Sequence, residues 1–258
     1  MKMTGNTILI TGGASGIGLA FAERFLKRGN EVIIVGRREE KLREVKETLT
    51  TIHTKVCDVS KEEERKELFE WAVKEFPHLN VLVNNAGIQQ RVNLLDANEN
   101  WDYYRNEISI NVEGPIHLTM LFTPHLKKQS HGSIINVTSG LAVMTGVWVP
   151  VYSATKAALH SFTTSLRHQL AETNVEVIEI LPPAVNTDLG GAGLHTFGAP
   201  LTDFADTIFE ELEKGEVEIG YGGTKERLHA TREEIMQGIK GAWQNFLKNN
   251  PDFRSSKK

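Results

Sequence analysis

The chain has 258 residues, of which 40% are hydrophobic and 24% are charged, with a formal net charge of -4. This length supports one sizeable buried core, and the slightly acidic balance gives no case for a nucleic-acid surface. No apolar run approaches the roughly 18 residues that a membrane span requires, which excludes an integral membrane segment from the prediction.

The first predicted elements are a strand over residues 6–11 and a helix over residues 16–29, joined by a glycine-rich turn. The turn reads Thr11-Gly12-Gly13-Ala14-Ser15-Gly16-Ile17-Gly18. Glycines allow positive φ and a close approach of a ligand, and the amides of a helix N-terminus attract a pyrophosphate. The turn therefore indicates a nucleotide site, with a tight connection that binds nothing as the alternative.

The end of the second predicted strand, over residues 31–35, bears on the choice of dinucleotide. An acidic residue at this place normally binds the ribose of NAD, but the chain reads Gly36-Arg37-Arg38 and then enters a helix over residues 38–49. Two guanidinium groups can bind a 2′-phosphate through charge-assisted forks. The segment favours NADP; solvated arginines at a helix start are the alternative.

Two further strands, over residues 52–57 and 80–84, end in polar residues. Asp58 and Ser60 are candidate caps for the next helix, over residues 61–76, and Asp58 is also placed to meet a nucleotide. The fourth strand is followed by Asn84-Asn85-Ala86-Gly87, where a ligand would lie beside the carboxyl ends of parallel strands.

Cys57 is the one cysteine of the chain, so no intramolecular disulfide can form. Its place in a strand predicts an inert buried thiol, and the composition favours a reducing compartment. The N-terminus leads directly into the first strand without a signal peptide, which favours the cytoplasm. The nine histidines show no ligand pairing such as H-E-x-x-H, and no metal site is indicated.

The middle of the chain carries a candidate proton-transfer site. Asn111 lies within a predicted helix over residues 99–128, where a local disturbance would free a backbone carbonyl for water. Ser139 follows a strand over residues 132–138. Tyr152 and Lys156 lie four residues apart in a helix over residues 151–173, and therefore on one face.

A nearby ammonium favours phenolate, so we expect Lys156 to lower the pKa of Tyr152 towards neutrality. Ser139 would donate a hydrogen bond to a substrate oxygen. Taken alone, a Tyr-x-x-x-Lys pair more often lies on a solvated helix face, and the prediction depends on the other motifs.

The remaining elements are strands over residues 175–181 and 216–220 and helices over residues 203–214 and 225–248. This alternation predicts a single α/β domain over residues 1–258: a Rossmann-type, doubly wound parallel sheet of about seven strands, with helices on both faces and right-handed crossovers. Only the last few polar residues are expected to fray. The glycine-rich segment at about 188–200 is a candidate substrate lid, with a plain surface loop as the alternative.

The motifs of the glycine turn, Asn84-Asn85-Ala86-Gly87, Asn111, Ser139 and Tyr152 with Lys156 together resemble the short-chain dehydrogenase/reductase family, over roughly residues 5 to 190. The segment 181–188 is similar to bacterial members associated with lipoteichoic acid D-alanylation, an association that names no reaction. The resemblance implies that Tyr152 is the general acid/base, that Lys156 lowers its pKa and holds the nicotinamide ribose, that Ser139 orients the substrate and that Asn111 supports a proton relay. The implied cofactor-binding residues are Gly12, Ser15, Gly16, Ile17, Gly18, Arg37, Arg38, Asp58, Val59, Asn85, Ala86, Gly87, Tyr152, Lys156, Val185 and Thr187.

Two departures from the family pattern stand out. Pro183 replaces the usual glycine of a Pro-Gly pair before the nicotinamide-contacting segment, which removes an amide donor. The C-terminal helix, at about 225–248, is charged and amphipathic, and either packs on its own sheet or serves a partner subunit. Family members commonly pair through the two long helices beside the active site, so the resemblance implies a homodimer or homotetramer.

The sequence therefore predicts an NADP(H)-dependent oxidoreductase that transfers hydride between nicotinamide and a small-molecule carbonyl or secondary alcohol. A dinucleotide-sensing binding protein with little activity is the alternative, and a membrane-associated cell-envelope component is a third reading. Met144 and Trp148 are equally suited to a core or an interface. Sequence position suggests these neighbours of the substrate: Gln89, Gln90, Arg91, Leu141, Val143, Met144, Trp148 and Val149.

Overall fold

The computed structural model describes residues 1–254 of the chain; the predicted fraying of the last residues lies outside this range. Its framework is one sheet of seven parallel strands in the order β3-β2-β1-β4-β5-β6-β7. In chain order the first elements are β1 (Thr7–Thr11), α1 (Gly16–Lys27), β2 (Glu31–Gly36), α2 (Glu39–Thr48), β3 (His53–Val56), α3 (Glu62–Glu75) and β4 (Leu79–Asn84). The second half contains α4 (Trp101–Ile108), α5 (Gly114–Leu126), β5 (Gly132–Val137), α6 (Pro150–Leu170), β6 (Val175–Leu181), α7 (Leu201–Glu213), β7 (Glu218–Gly220), α8 (Gly223–Arg227) and α9 (Arg232–Asn249). The predicted fold class is confirmed.

The central strands are apolar along their whole length because both faces of the sheet are covered. Every residue of β1, β4 and β5 is buried, as expected for parallel strands between two helix layers. Alternate residues enter different cores: Ile8 and Ile10 face one and Leu9 faces the other. The strand order reverses between β1 and β4, and this switch point opens a crevice at the carboxyl ends of the strands.

Two predicted helices are interrupted. The helix predicted over residues 99–128 is α4 and α5 with a π-helical turn at Ser109–Glu113 between them, which is the disturbance expected around Asn111. The helix predicted over residues 225–248 is α8 and α9, because Thr231 starts a new helix through a capping box with Glu234.

The flanking elements follow the prediction to within a few residues. The last strand is shorter than expected, Glu218–Gly220, because only these residues pair with β6. No helix within residues 1–254 is both long and apolar enough to cross a bilayer.

Candidate active site

The glycine turn after β1 leaves no space for side chains. Gly12 has a φ of +66° and Gly16 a φ of +54°, a region that glycine enters without strain. A Cβ on Gly18 would lie 2.4 Å from the Gly12 carbonyl oxygen. The turn is therefore built around glycine, and its backbone can approach a ligand closely, beside the N-terminus of α1.

Two side chains bind the glycine turn to the end of β4. The Asn85 amide donates hydrogen bonds to the carbonyl oxygens of Thr11, at 3.0 Å, and Gly12, at 3.3 Å. In return, the Thr11 hydroxyl accepts from the backbone amides of Asn85, at 3.0 Å, and Ala86, at 3.1 Å. Thr11 belongs to the predicted motif, but its bracing role is visible only where the two strand ends meet.

Arg37 and Arg38 lie at the end of β2, exposed on the edge of the same crevice. The Arg38 guanidinium donates to the Ser15 hydroxyl at 3.1 Å, which joins the end of β2 to the glycine turn. Within residues 1–254 neither arginine forms an ion pair with a carboxylate, so both retain donors for an anionic ligand.

Asp58 lines the same crevice, beside the buried Val59. Its carboxylate accepts hydrogen bonds from the backbone amide and the hydroxyl of Ser60, at 3.0 and 2.8 Å. The prediction that Asp58 or Ser60 caps α3 is wrong, because Lys61 occupies the N-cap position. Asp58 instead closes the turn that precedes the helix.

Ser139, Tyr152 and Lys156 converge at the end of β5. The Ser139 and Tyr152 side chains are hydrogen-bonded to each other, and the Lys156 ammonium donates to the Val137 carbonyl oxygen at 2.9 Å. The ammonium lies 5.6 Å from the centroid of the Tyr152 ring. All three side chains are buried, so the Tyr-x-x-x-Lys pair occupies an enclosed site and not a solvated helix face.

Burial has the largest effect on the pKa values of Tyr152 and Lys156. For Tyr152 the direction is upward: burial raises its pKa, and the hydrogen bond from Ser139 opposes this only in part. The sequence predicted a lowered pKa, but here the ammonium is directed to the Val137 carbonyl and the phenol is desolvated. Burial also lowers the pKa of Lys156 to about 8, against the opposing effects of Glu107 and Glu179.

Asn111 is fully buried in the π-helical turn. Its amide oxygen accepts from the Ile88 backbone amide at 2.9 Å, and its nitrogen donates to the Ile88 carbonyl at 2.9 Å and the Thr155 hydroxyl at 3.1 Å. A Cβ on Gly87 would lie 3.3 Å from the Asn111 oxygen and 3.6 Å from the Lys156 nitrogen. Asn111 thus joins the loop after β4 to α6 beside Lys156.

Glu107 is a buried acid that the sequence prediction missed. One carboxylate oxygen accepts from the Gln90 backbone amide at 3.0 Å, and the other has no hydrogen-bond partner within residues 1–254. Burial raises the pKa of Glu107 to about 7, although Lys156 acts in the opposite direction. The sequence signal was its position four residues before Asn111, on the same helix face.

A second buried acid, Glu179, also acts on Lys156. Glu179 accepts from the Thr138 hydroxyl at 2.6 Å and pairs with the His160 ring nitrogen Nδ1 at 2.9 Å, which raises the pKa of His160. Ligand atoms of His160, Glu179 and Glu218 lie within 4.8 Å of one another. These residues are distant in sequence, so no ligand spacing indicated the cluster, and its buried acid is already satisfied by protein groups.

The segment after β6 returns to the glycine turn. Val185 is buried and forms an isolated parallel bridge with Ala199. A Cβ on Gly16 would lie 3.4 Å from the Thr187 methyl group. Apart from this bridge, residues 188–200 form turns without helix or strand; Gly190 and Gly193 each have a φ of +77°.

A single cleft of about 1310 Å³ joins these parts. The predicted site residues on its wall are Gly12, Ser15, Gly16, Ile17, Arg37, Arg38, Asp58, Val59, Asn85, Ala86, Gly87, Ser139, Tyr152, Lys156, Val185 and Thr187. Gly18 and Asn111 lie behind the wall and support it. The substrate neighbours that line the cleft are Gln89, Arg91, Leu141, Met144 and Trp148, whereas Gln90, Val143 and Val149 do not.

Helix α9 completes the substrate end of the cleft. Phe246 stacks on Trp148 with ring centroids 4.8 Å apart and an interplanar angle of 5°, and Trp243 stacks on Phe246 at 5.7 Å. Ala242 of α9 and the α8 residues Thr224 and Arg227 line the cleft, and sequence reasoning missed all three because these helices carry no motif. The C-terminal helix therefore packs on its own chain, at the site.

Comparison with known proteins is consistent with this arrangement. The short chain dehydrogenase family profile matches residues 6–195. The chain is 50% identical to a Bacillus subtilis protein named uncharacterized oxidoreductase DltE, over 90% of this chain and 93% of that protein.

Solved structures share the fold. A short chain dehydrogenase from Burkholderia cenocepacia in complex with NADP superposes with a TM-score of 0.76 at 27% identity, covering 96% of this chain and 98% of that one. A short chain dehydrogenase/reductase from Burkholderia phymatum in complex with NAD gives a TM-score of 0.77 at 23% identity, covering 93% of each chain.

Proposed function

Because this chain belongs to the short-chain dehydrogenase family and is an oxidoreductase, we propose that it interconverts a carbonyl compound and a secondary alcohol with NADP(H). The observation that carries the proposal is the convergence of Ser139, Tyr152 and Lys156 on the wall of the cleft that begins at the glycine turn. The positive φ angles of Gly12 and Gly16 suit that turn to a dinucleotide pyrophosphate.

The reaction divides between the cofactor and the protein. When bound, the nicotinamide supplies or accepts the hydride at its C4 atom. In the reduction, Tyr152 gives its phenolic proton to the carbonyl oxygen, and in the oxidation it takes the proton back. The Ser139 hydroxyl, which is hydrogen-bonded to Tyr152 in the free protein, would rotate its single proton to the same substrate oxygen and orient it.

Lys156 and Asn111 support that proton transfer. The Lys156 ammonium is positioned to hold the nicotinamide ribose and, with the charge of the oxidised ring, to favour the phenolate of Tyr152. Asn111 fixes the loop after β4 beside Lys156 and, through the π-helical turn, supports a path for the proton. The remaining predicted cofactor residues keep the roles that the family resemblance implies.

The proposed preference for NADP(H) depends on the end of β2. Arg37 would bind the 2′-phosphate and Arg38 would lie beside the adenine, where the Ser15 hydroxyl holds its guanidinium. The alternative function is a dinucleotide sensor with little activity. The buried Ser139, Tyr152 and Lys156 favour the enzyme, because a sensor requires the glycine turn and no proton donor.

Cofactor oxidation with a panel of aldehydes and ketones tests the proposal, with NADPH and NADH in parallel. Tyr152→Phe should lower turnover by at least ~10²-fold, as expected when a general acid is removed, while NADPH still binds. Tyr103→Phe, at an exposed tyrosine outside the cleft, is the matched control and should keep its turnover. Near-normal turnover by Tyr152→Phe would refute the assignment, and tight NADPH binding without turnover of any substrate would favour the sensor.

The proposed setting is the cytoplasm, with a homodimer or homotetramer as the assembly. The reading as a membrane-associated cell-envelope component is tested by incubating the purified protein with membranes and sedimenting them. A protein that stays entirely in the supernatant would contradict that reading.

A further inference from the structure

Arg91 lies at the substrate end of the cleft with its guanidinium unpaired. The backbone amide of Val92 donates to the Trp148 carbonyl oxygen at 3.1 Å, and the Arg91 guanidinium carbon lies 5.8 Å from the centroid of the Phe246 ring. Within residues 1–254 the guanidinium makes no hydrogen bond or ion pair. Arg91 is an exposed residue, so its five N–H donors lie beside the Phe246 ring and remain accessible to a ligand.

His195 faces the same part of the cleft from the glycine-rich segment. Its Nδ1 atom is buried and has no hydrogen-bond partner within residues 1–254, and the backbone of Leu189 lies close enough to affect the pKa of the ring. A buried polar atom without a partner costs free energy. Arg91 lies close enough for its charge to act on this ring, and burial together with Arg91 lowers the pKa of His195.

The carboxylates that line the cleft do not form ion pairs with Arg91 or His195. Glu23, Glu44 and Asp58 line its wall with the glycine turn and the end of β2, and Asp188 is exposed after Thr187. No carboxylate in the described chain lies within ion-pair distance of Arg91 or His195. Beside the pair, the wall is apolar and is formed by Met144, Trp148 and Phe197.

We infer that Arg91 and His195 form an anion-binding subsite, and that the substrate is a carbonyl compound with a carboxylate or phosphate group at the far end of an apolar body. The guanidinium offers a forked pair of donors to the anion, and Nδ1 of His195 becomes a donor once the ring is protonated. The apolar body would lie against Trp148 and Met144, with the carbonyl directed towards Tyr152. This inference rests on the proposed reductase function.

Three benzaldehydes with the same 4-substituted ring test it: 4-carboxybenzaldehyde, its neutral methyl ester methyl 4-formylbenzoate, and 4-formylphenyl phosphate. With NADPH, the wild-type enzyme should prefer the charged compounds. Arg91→Gln should lower the ratio of kcat/KM for acid to ester by about 10-fold to 100-fold, mainly through KM, because it removes a charge-assisted pair of donors. Arg43→Gln, at an exposed arginine of α2 outside the cleft, is the matched control. The more strongly preferred anion identifies carboxylate or phosphate as the natural group.

A binding measurement separates failure of the subsite from failure of the proposed reaction. With NADP⁺ bound, 4-carboxybenzaldehyde should raise the pKa of His195, followed by NMR of its imidazole; the ester should not, and the effect should be lost in Arg91→Gln. That shift without turnover would support the subsite and count against the proposed reaction. Turnover with an acid-to-ester ratio that Arg91→Gln leaves unchanged, or an unshifted His195, would overturn the subsite. His195→Gln is a second variant, and melting temperatures check that each variant is folded.

Discussion

Two buried acids, Glu107 and Glu179, set the electrostatic surroundings of Lys156. Both favour its ammonium form, while burial disfavours it. The two carboxylates differ in their hydrogen bonding. Glu179 is hydrogen-bonded to Thr138 and His160, whereas one oxygen of Glu107 has no hydrogen-bond partner within residues 1–254. Glu107 is therefore the acid whose ionisation folding disfavours most clearly.

Glu107→Gln should remove a pH-dependent loss of stability. The carboxyl pKa rises from 4.5 to about 7 on folding, so the folded protein binds this proton more tightly than the unfolded chain. The stability that this bound proton gives the folded protein is fully present below pH 4.5 and disappears as the pH rises through 7. The wild type should thus lose on the order of 3 kcal/mol relative to Glu107→Gln between these limits.

Denaturant unfolding at a series of pH values checks this difference. Both proteins contain the same histidines, so any effect of the histidines on stability cancels in the comparison. Folding lowers the pKa of Lys156 from 10.5 to about 8, so the unfolded chain binds this proton more tightly. Between these two pH values the free energy of unfolding therefore rises with pH. Glu99→Gln, at an exposed acid, is the control, and a wild-type curve parallel to that of Glu107→Gln would contradict the prediction.

Arg37→Ala should change cofactor choice at the residue level. Removing the guanidinium takes donors from the 2′-phosphate, which NAD lacks, and should lower kcat/KM for NADPH by about tenfold or more relative to NADH. Steady-state kinetics with both cofactors measure the ratio, with Arg43→Ala as the control. An unchanged ratio would show that Arg37 is a solvated charge.

At the scale of elements, the glycine turn depends on contacts between three segments. β1, α1 and the loop after β4 meet there, and the Asn85 amide fills the space beside the turn. A Cβ on Gly18 would lie 2.5 Å from that amide nitrogen as well as 2.4 Å from the Gly12 oxygen. Neither neighbour can move without breaking the hydrogen bonds that hold the turn.

Gly18→Ala should weaken NADPH binding by about tenfold or more, since overpacking a close contact costs roughly 1–3 kcal/mol. Gly241→Ala is the matched control, because a Cβ there meets nothing within 4 Å. In α9 that change should instead stabilise the protein by up to ~1 kcal/mol. Fluorescence titration with NADPH and thermal unfolding measure both effects; wild-type affinity in Gly18→Ala would contradict the steric argument.

At the scale of the whole molecule, the surface that bears α4 and α5 is the candidate for assembly. Met120 on α5 and Trp101 on α4 are each 62% exposed. Exposed large apolar side chains are typical of an interface. This face lies beside α6, in agreement with the pairing that the family resemblance implies.

Met120→Glu should shift the assembly towards monomers, because it buries a charge in the expected interface. Sedimentation velocity measures the mass in solution. Met236→Glu, at a methionine 58% exposed on α9, is the control and should leave the assembly unchanged. A monomeric wild type, or an unaltered oligomer of Met120→Glu, would refute the predicted surface.

The sequence alone determined the α/β class, the seven strands and the residues of the glycine turn and the Tyr152–Lys156 pair. These features are local: apolar periodicity, turn glycines and a four-residue helical spacing are written in contiguous segments. A disturbance of the helix around Asn111 was also expected from the sequence, but its form, a π-helical turn, was not.

Only the tertiary structure decided which distant residues meet. Chain packing places Glu107 and Glu179 close enough to Lys156 to affect its pKa, and it brings Arg91 to His195 and Trp148 to Phe246. It also reversed the expected direction of the Tyr152 pKa, because desolvation depends on how completely the surrounding elements enclose a group. Burial and distance between remote segments are properties of packing, which no local pattern encodes.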